Sequence, residues 1–277
     1  MLTFIKDMQQ SIKFRSFDMH KFLPKYLLEI EFGNYLLKTA NSTAELKSAF
    51  NLRHQIFFDS AGKENGILYD IDQFDSICDH LIIIDKQNKN VVGTYRMNNS
   101  TLAKNFYSST EFNLDKIVYG VKNCVELGRA CIAEDHRNGI VISLLWRGIY
   151  SYMKNCNADI LFGCSSIKNM NSRQAGLVLK YFESMNLTET VFTANPEYNF
   201  KVPLIEEYLD QYNQDLAPDE LNEAKELIPS LLKSYLKFGA KVAGEPAWDS
   251  DMGCVDFLTV MRVENLSAQI ERKFKNI

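Results

Sequence analysis

The sequence predicts an α/β (α+β) domain with a mixed, mostly antiparallel central sheet flanked by helices. Two observations carry this. The runs HLIIID and VVGTYRM, joined by the polar KQNKN, read as an antiparallel hairpin. Beyond them, residues 124–153 read as a strand, a charged turn AEDHRNG and a helix, with DILFGCSS supplying the next strand. Strand, helix and strand in that order make a βαβ crossover, so one pair of strands is parallel.

The elements follow in order. Residues 1–34 are expected to form a helical N-terminal extension, because KFLPKYLLEIEFGNYLL sets large apolar residues among Lys and Glu; the main domain is expected over 35–277. YLLKTA (35–40) reads as the first strand. Asn41-Ser42-Thr43 then offers an N-cap for a helix in which Leu46, Ala49, Phe50, Arg53 and Phe57 fall at helical spacing. A polar segment runs from Ser60 to the hairpin, and residues 98–118 read as loop or short helix. In the helix after AEDHRNG, Ile140, Leu144, Leu145, Gly148, Ile149 and Met153 share one stripe. NSRQAGLVLKYFESM is a helix and TANPEYNF a loop broken by Pro196. One helix is expected over 218–238, ended by Gly239, then a strand over 255–263 and a polar helical tail.

Composition narrows the class. The 277 residues are 46% hydrophobic and 24% charged, ordinary globular material able to bury a sizeable core. A net charge of −4 argues against a general nucleic-acid binder. No run approaches the ~20 apolar residues of a membrane span, and the first residues lack the apolar core of a signal peptide, so a cytoplasmic location is expected. The six cysteines include no CxxC pair, which predicts reduced, buried thiols, with no disulfide framework and no metal.

Charged residues stand out where the pattern predicts burial. Arg53 lies on the apolar helix face. Asp70, Asp72 and Asp75 cluster in one loop, Arg96 ends a hairpin strand, and Glu126 and Arg129 sit in the strand before the turn. A buried charge is costly unless paired or used, so a salt-bridge network and a site are both compatible with the pattern. Side chains alternate along a strand, so Glu126 and Arg129 face opposite ways unless Gly128 opens a bulge. The favoured reading gives Arg129 to the aspartates and leaves Glu126 for substrate. The turn Arg137-Asn138-Gly139 precedes a helix N-terminus, where unpaired N–H groups and the helix dipole suit a phosphate.

The spacing Arg53-x3-Phe57, Asp70-x-Asp72-x2-Asp75, Arg96 and Glu126-x2-Arg129 resembles the acyl-homoserine-lactone synthases, enzymes of the GNAT fold. Those carry a Trp before the acidic cluster, absent here from residues 60–69, which points away from S-adenosylmethionine as acceptor. The runs DIDQFDSICDHLIIID, VVGTYRM, VELGRACIAEDHRNGIVISLLWRGIYSYM, LFGCSSI and LLKSYLKFGAKVAGEPAWDSDMGCVDFLTVM resemble the ornithine–acyl-carrier-protein N-acyltransferases, a branch of the same superfamily that is also labelled as hemolysins.

That resemblance implies a GNAT-like fold and transfer of a 3-hydroxy fatty acyl group from acyl carrier protein to the α-amine of ornithine or glycine. It implies no permanently bound cofactor; the donor is the acyl-phosphopantetheine of carrier protein, with acyl-CoA as the other donor. The small-residue pattern that CoA-dependent relatives place after the turn arginine keeps only Gly139, with Ile140 and Ile142 in the other positions, which favours a single phosphodiester over a pyrophosphate. Glu126 is the expected base for the amine, with Asp79 and His80 as further candidates. Arg53, Asp70, Asp72, Asp75, Arg96 and Arg129 are the expected substrate-binding residues, and Arg137, Asn138 and Gly139 the pantetheine-phosphate site. Phe106, Tyr107, Trp146, Tyr150 and Phe162 are compatible with an acyl tunnel and equally with core. Arg137, Arg147, Arg173 and Lys180 are compatible with a dock for acidic carrier protein. The expected partners are acyl carrier protein and an amino acid, with peripheral contact at the cytoplasmic face of the inner membrane. The competing readings are a signal synthase consuming S-adenosylmethionine and a non-catalytic, membrane-interacting protein.

Overall fold

The computed structural model describes residues 17–58, 68–212 and 215–266. Its elements are β1 (Glu29–Phe32), β2 (Tyr35–Thr39), α1 (Thr43–Phe57), β3 (Asp79–Asp85), β4 (Asn90–Asn99), β5 (Phe112–Asn113), α2 (Asp115–Val118) and β6 (Cys124–Ile132). There follow α3 (Ile140–Cys156), β7 (Ile160–Lys168), α4 (Ser172–Ser184), β8 (Asn195–Pro196), α5 (Ile205–Gln211), α6 (Pro218–Leu227) and α7 (Ser230–Lys237). The chain closes with β9 (Lys241–Val242), β10 (Ala247–Asp249) and β11 (Cys254–Arg262). The architecture is mixed α/β with mostly antiparallel strand pairing and flanking helices, as the sequence predicts. The chain divides into two compact units, Met1–Ala103 with Leu127–Asn157, and Lys104–Glu126 with Ala158–Ile277.

In the first unit the strand order is β1-β2-β3-β4 followed by residues 127–132 of β6. Every residue of β3 but Ile84 is buried, because helices cover both faces. Ile82 joins Leu46, Ala49 and Phe50 under α1. Leu81 and Ile83 meet α3, which approaches closely at Gly148: a Cβ there would stand 2.7 Å from Leu81 and 3.0 Å from Leu37. Helix α1 starts where expected, with the Ser42 side chain accepting the N–H of Glu45.

Residues 29–32 correct an expectation. They form a strand paired with β2 in register from Glu29↔Lys38 to Phe32↔Tyr35, where the sequence suggested a helix. The tight turn Gly33-Asn34 explains it, Gly33 taking a left-handed φ of 53° that a non-glycine residue adopts only with strain. Residues 1–16 of the expected extension lie outside the described residues, as does the tail beyond residue 266.

In the second unit residues 124–126 of β6 run parallel to β7, from Cys124↔Ile160 to Glu126↔Phe162. Strand β7 pairs antiparallel with β11 over its full length, and β11 pairs in turn with β10 and β9. Helix α4 opens with a capping box between Asn171 and Gln174. It packs Leu177, Val178 and Phe182 into a core shared with Phe257, Ile205 and Ala224. The single helix expected over 218–238 is two, α6 and α7, because Pro229 offers no N–H to continue the ladder. The loops expected at 98–118 and 193–200 also contribute short strands, β5 and β8, which pair with each other.

Candidate functional site

Six charged groups close into a neutral cluster in the first unit. Arg53, 1% exposed, donates from Nε to Asp70 at 2.7 Å and from both terminal nitrogens to Asp75 at 2.7 and 3.1 Å. Arg96 donates to Asp72 at 2.6 Å and Asp75 at 3.2 Å. Arg129 reaches Asp70 at 3.2 Å and Asp72 at 3.1 Å. The close spacing of the three aspartates is used by the backbone, since Asp75 accepts the N–H of Asp72 and Asp72 that of Phe74. Each guanidinium also lies against an aromatic ring: Arg53 on Phe50, Arg96 on Phe74 and Arg129 on Phe57. Burial opposes ionisation of Asp75, but Arg53 and Arg96 override it and hold the carboxyl well below the usual range. Asp70 is lowered in the same way, burial being outweighed by Arg53 and Arg129.

The pairing of Arg129 with the aspartates is the arrangement favoured from the sequence. The backbone departure that accompanies it lies at Arg129 itself, whose φ is 53°, and not at Gly128. A left-handed arginine within a strand is strained, and its two carboxylate partners hold it there.

Asp79 and His80 have structural partners. His80 is buried between the rings of Phe22 and Phe50, and its Nε2 donates to the Asp75 carbonyl at 2.9 Å. Burial pushes its pKa down to about 4 against the pull of Asp75, so the ring is neutral near pH 7. Asp79 accepts the backbone N–H groups of Lys25 and Tyr26 at 2.7 and 3.2 Å and the Tyr152 hydroxyl at 2.9 Å. Burial raises the Asp79 carboxyl.

At the turn, Asn138 Oδ1 accepts the N–H of Ile140 at 3.1 Å, and Gly139 takes a φ of 85° as the N-cap of α3. Arg137 is half exposed; its Nε donates to the Ile132 carbonyl at 3.2 Å. A polar cleft of about 290 Å³ elsewhere in this unit is lined by Asn51, Gln55, Asn88, Asn90, Asp135 and His136 among others, and none of the catalytic or binding candidates lines it.

Glu126 belongs to the second unit. It is buried, and its two carboxylate oxygens each accept a backbone N–H, from Tyr107 at 2.9 Å and Ser108 at 2.6 Å. The one-turn 3₁₀ helix Tyr107–Thr110 therefore presents its leading N–H groups to a fixed carboxylate.

Further into this unit lies a group that the sequence reading missed. Glu111, Asp249 and Asp256 are all buried with Cys164 and Cys254 among them. Burial, then Asp256 and Asp249, push the Glu111 carboxyl up to about 9. Asp256 is raised by burial and Asp249, although the Ser166 hydroxyl donates to it. Glu111 and Asp256 hydrogen-bond each other, which requires one shared proton. Ligand atoms of Glu111, Cys164 and Asp256 lie within 4.8 Å of one another, as do those of Asp249, Cys254 and Asp256. Burial, then Glu111 and Asp256, push the Cys164 thiol up, and burial, then Asp256 and Asp249, raise that of Cys254. Burial thus favours the neutral form of the Cys164 thiol. Among the aromatic candidates, Phe106 and Phe162 meet edge to face in the core at 5.1 Å, and Trp146 is buried. Arg173 pairs with Glu223 and Lys180 with Glu183.

Strand β6, the turn after it and the start of α3 fall within a stretch that resembles a known domain. Residues 52–147 match the profile of the acetyltransferase (GNAT) domain. That stretch of the chain is similar to a GNAT domain.

All twelve residues singled out as catalytic, substrate-binding or phosphate-binding lie within that GNAT span. The L-ornithine N(alpha)-acyltransferase of Brucella abortus (strain 2308) is 28% identical, over 86% of this chain and 87% of its own. The protein of the same name from Agrobacterium fabrum (strain C58 / ATCC 33970) is 29% identical, over 86% of this chain and 84% of its own. Among solved structures, FeeM, an N-acyl amino acid synthase from uncultured soil microbes, is similar with a TM-score of 0.48 and 10% identity, over 88% of this chain and 96% of its own. Among the described residues no helix is long and apolar enough to cross a membrane.

Proposed function

We propose that this GNAT-type acyltransferase moves a 3-hydroxy fatty acyl group from acyl carrier protein to the α-amine of an amino acid, ornithine first and glycine next, forming a lyso-aminolipid. The observation that carries the reading is the similarity to L-ornithine N(alpha)-acyltransferases along 86% of the chain, which takes in Glu126, the turn and the arginine–aspartate network together.

An α-ammonium becomes a nucleophile only after losing a proton. Glu126 takes that proton, directly or through water, and the two backbone N–H groups fix its carboxylate for the task. The amine nitrogen then attacks the thioester carbonyl, the C–N bond forms, the C–S bond breaks, and the pantetheine sulfur leaves and is protonated. Asp79 and His80, each engaged by neighbours, hold structure and leave the proton to Glu126. The arginine–aspartate network offers substrate its least buried edge, Arg129 and Asp72, while Arg53 and Asp75 keep that edge in place. Arg137 and the backbone at Gly139 receive the single phosphodiester of the carrier arm, which asks for fewer close N–H contacts than a pyrophosphate.

The test is incubation of purified protein with 3-hydroxyacyl carrier protein, or the matching acyl-CoA, and a panel of amino acids, with products read by mass spectrometry. The reading expects an amide with ornithine or glycine, formed faster from the carrier protein. No amide from any donor and acceptor pair would overturn it.

A further inference from the structure

Residues 21–28, KFLPKYLL, form a strap with neither helix nor strand, and the fold holds it firmly. Phe22 is buried against His80 and Phe17, and Tyr26 sets its ring on Tyr152 at 5.1 Å. The backbone is fixed too. Asp79 receives the N–H groups of Lys25 and Tyr26, and the Thr39 hydroxyl donates to the Tyr26 carbonyl at 2.8 Å while accepting the N–H of Leu28 at 3.2 Å.

The residue after each aromatic anchor is left outside. Leu23 is 79% exposed and Leu27 67% exposed, more than any other large hydrophobic among the described residues of the first unit. Lys21 and Lys25 are exposed with them, Lys21 near Asp18 and Lys25 over the Phe22 ring. Local charge opposes that of the whole chain. Residues 1–28 carry five cations (Lys6, Lys13, Arg15, Lys21, Lys25) against Asp7 and Asp18, an excess of 5 − 2 = 3 positive charges in a chain of net −4.

Apolar side chains held out in water beside cations suit an anionic bilayer, where leucines enter the interface and lysines meet phosphate headgroups. We infer that residues 21–28 dock this protein onto anionic membranes through Leu23 and Leu27, with Lys21 and Lys25 supplying the electrostatic attraction. Because the strap is already ordered, little conformational entropy is lost on docking. The inference extends the proposed function, whose product is a lipid, but its test reads binding without turnover, so either can fail while the other stands.

The experiment is co-sedimentation of the full chain with phosphatidylglycerol-containing vesicles and with pure phosphatidylcholine vesicles, at low and high salt. Wild type should bind the anionic vesicles and be weakened by salt. Leu23→Ser/Leu27→Ser should lower partitioning about tenfold or more. Lys21→Gln/Lys25→Gln should lower it several-fold for anionic vesicles alone. Circular dichroism and turnover of water-dispersed substrates should be unchanged in both variants. Absence of wild-type binding to anionic vesicles, or equal binding by the leucine variant, would overturn the inference. A loss confined to affinity for acyl carrier protein would assign the strap to that acidic partner instead.

Discussion

Replacing Arg53 by Met tests the cluster that stiffens the first unit. The guanidinium makes three hydrogen bonds to two carboxylates, with its own side chain 1% exposed and that of Asp75 0% exposed. Breaking a buried ion pair by removing one partner costs about 3–5 kcal/mol, mostly the penalty of the charge left behind. Arg96 and Arg129 remain near Asp75 and Asp70 and soften the loss, while Met restores part of the packing on Phe50. We therefore expect about 3–4 kcal/mol at pH 7, measured by urea unfolding. The pH dependence follows from the carboxyls. Both are depressed in the folded wild type, so their contribution is present above the unfolded value near 3.8 and is lost as pH falls through the lower folded values. Without Arg53 they accept protons at higher pH, so the deficit should narrow as pH drops from 7 to 4. Arg53→Lys keeps a charge but not the fork, and should cost roughly half as much. A loss below about 1 kcal/mol for Arg53→Met, or one that does not vary with pH, would refute the reasoning.

Two further outcomes follow from the second unit. Glu126→Gln should lower kcat by a factor of about 10² to 10⁴, with a modest fall in the unfolding midpoint because the amide NH2 cannot accept the second backbone N–H; near-normal turnover would remove Glu126 as the base. Glu111→Gln removes a carboxyl whose pKa is raised to about 9 in the folded chain, so its favourable contribution is complete below the unfolded value near 4.5 and is lost as pH rises towards 9. The variant should match wild type near pH 4 and exceed it by several kcal/mol, on the order of 1.4 kcal/mol per pH unit, as the buffer becomes alkaline. Parallel curves of thermal midpoint against pH would show that no proton is shared there.

How far the chain discloses its structure depends on the reach of each contact. The Ser42 cap, the β3–β4 hairpin and the turn after β6 are local, and local chemistry announces them. The arginine–aspartate cluster could be suspected because charges interrupt apolar patterns, although which arginine meets which aspartate could not. Pro229 was a readable break that the long apolar pattern of 218–238 obscured. Residues 29–32 misled because an amphipathic tract reads as helix until pairing with β2 decides otherwise. Nothing local marks Glu111 or Asp249. They meet Asp256 only through long-range packing, and Asp256 lies inside a buried, mostly apolar strand, the one signal that could have flagged it. Nor does sequence show that Glu126 would be gripped by N–H groups 18 and 19 residues earlier.

The most direct measurement follows the nitrogen. Ornithine isotopically labelled only at its α-amine is incubated with the protein and 3-hydroxyacyl carrier protein, and products are fragmented in a mass spectrometer. The account predicts an amide carrying the label on its acylated nitrogen, with one carrier thiol released per amide. An acylated side-chain nitrogen, or released thiol without amide, would contradict it.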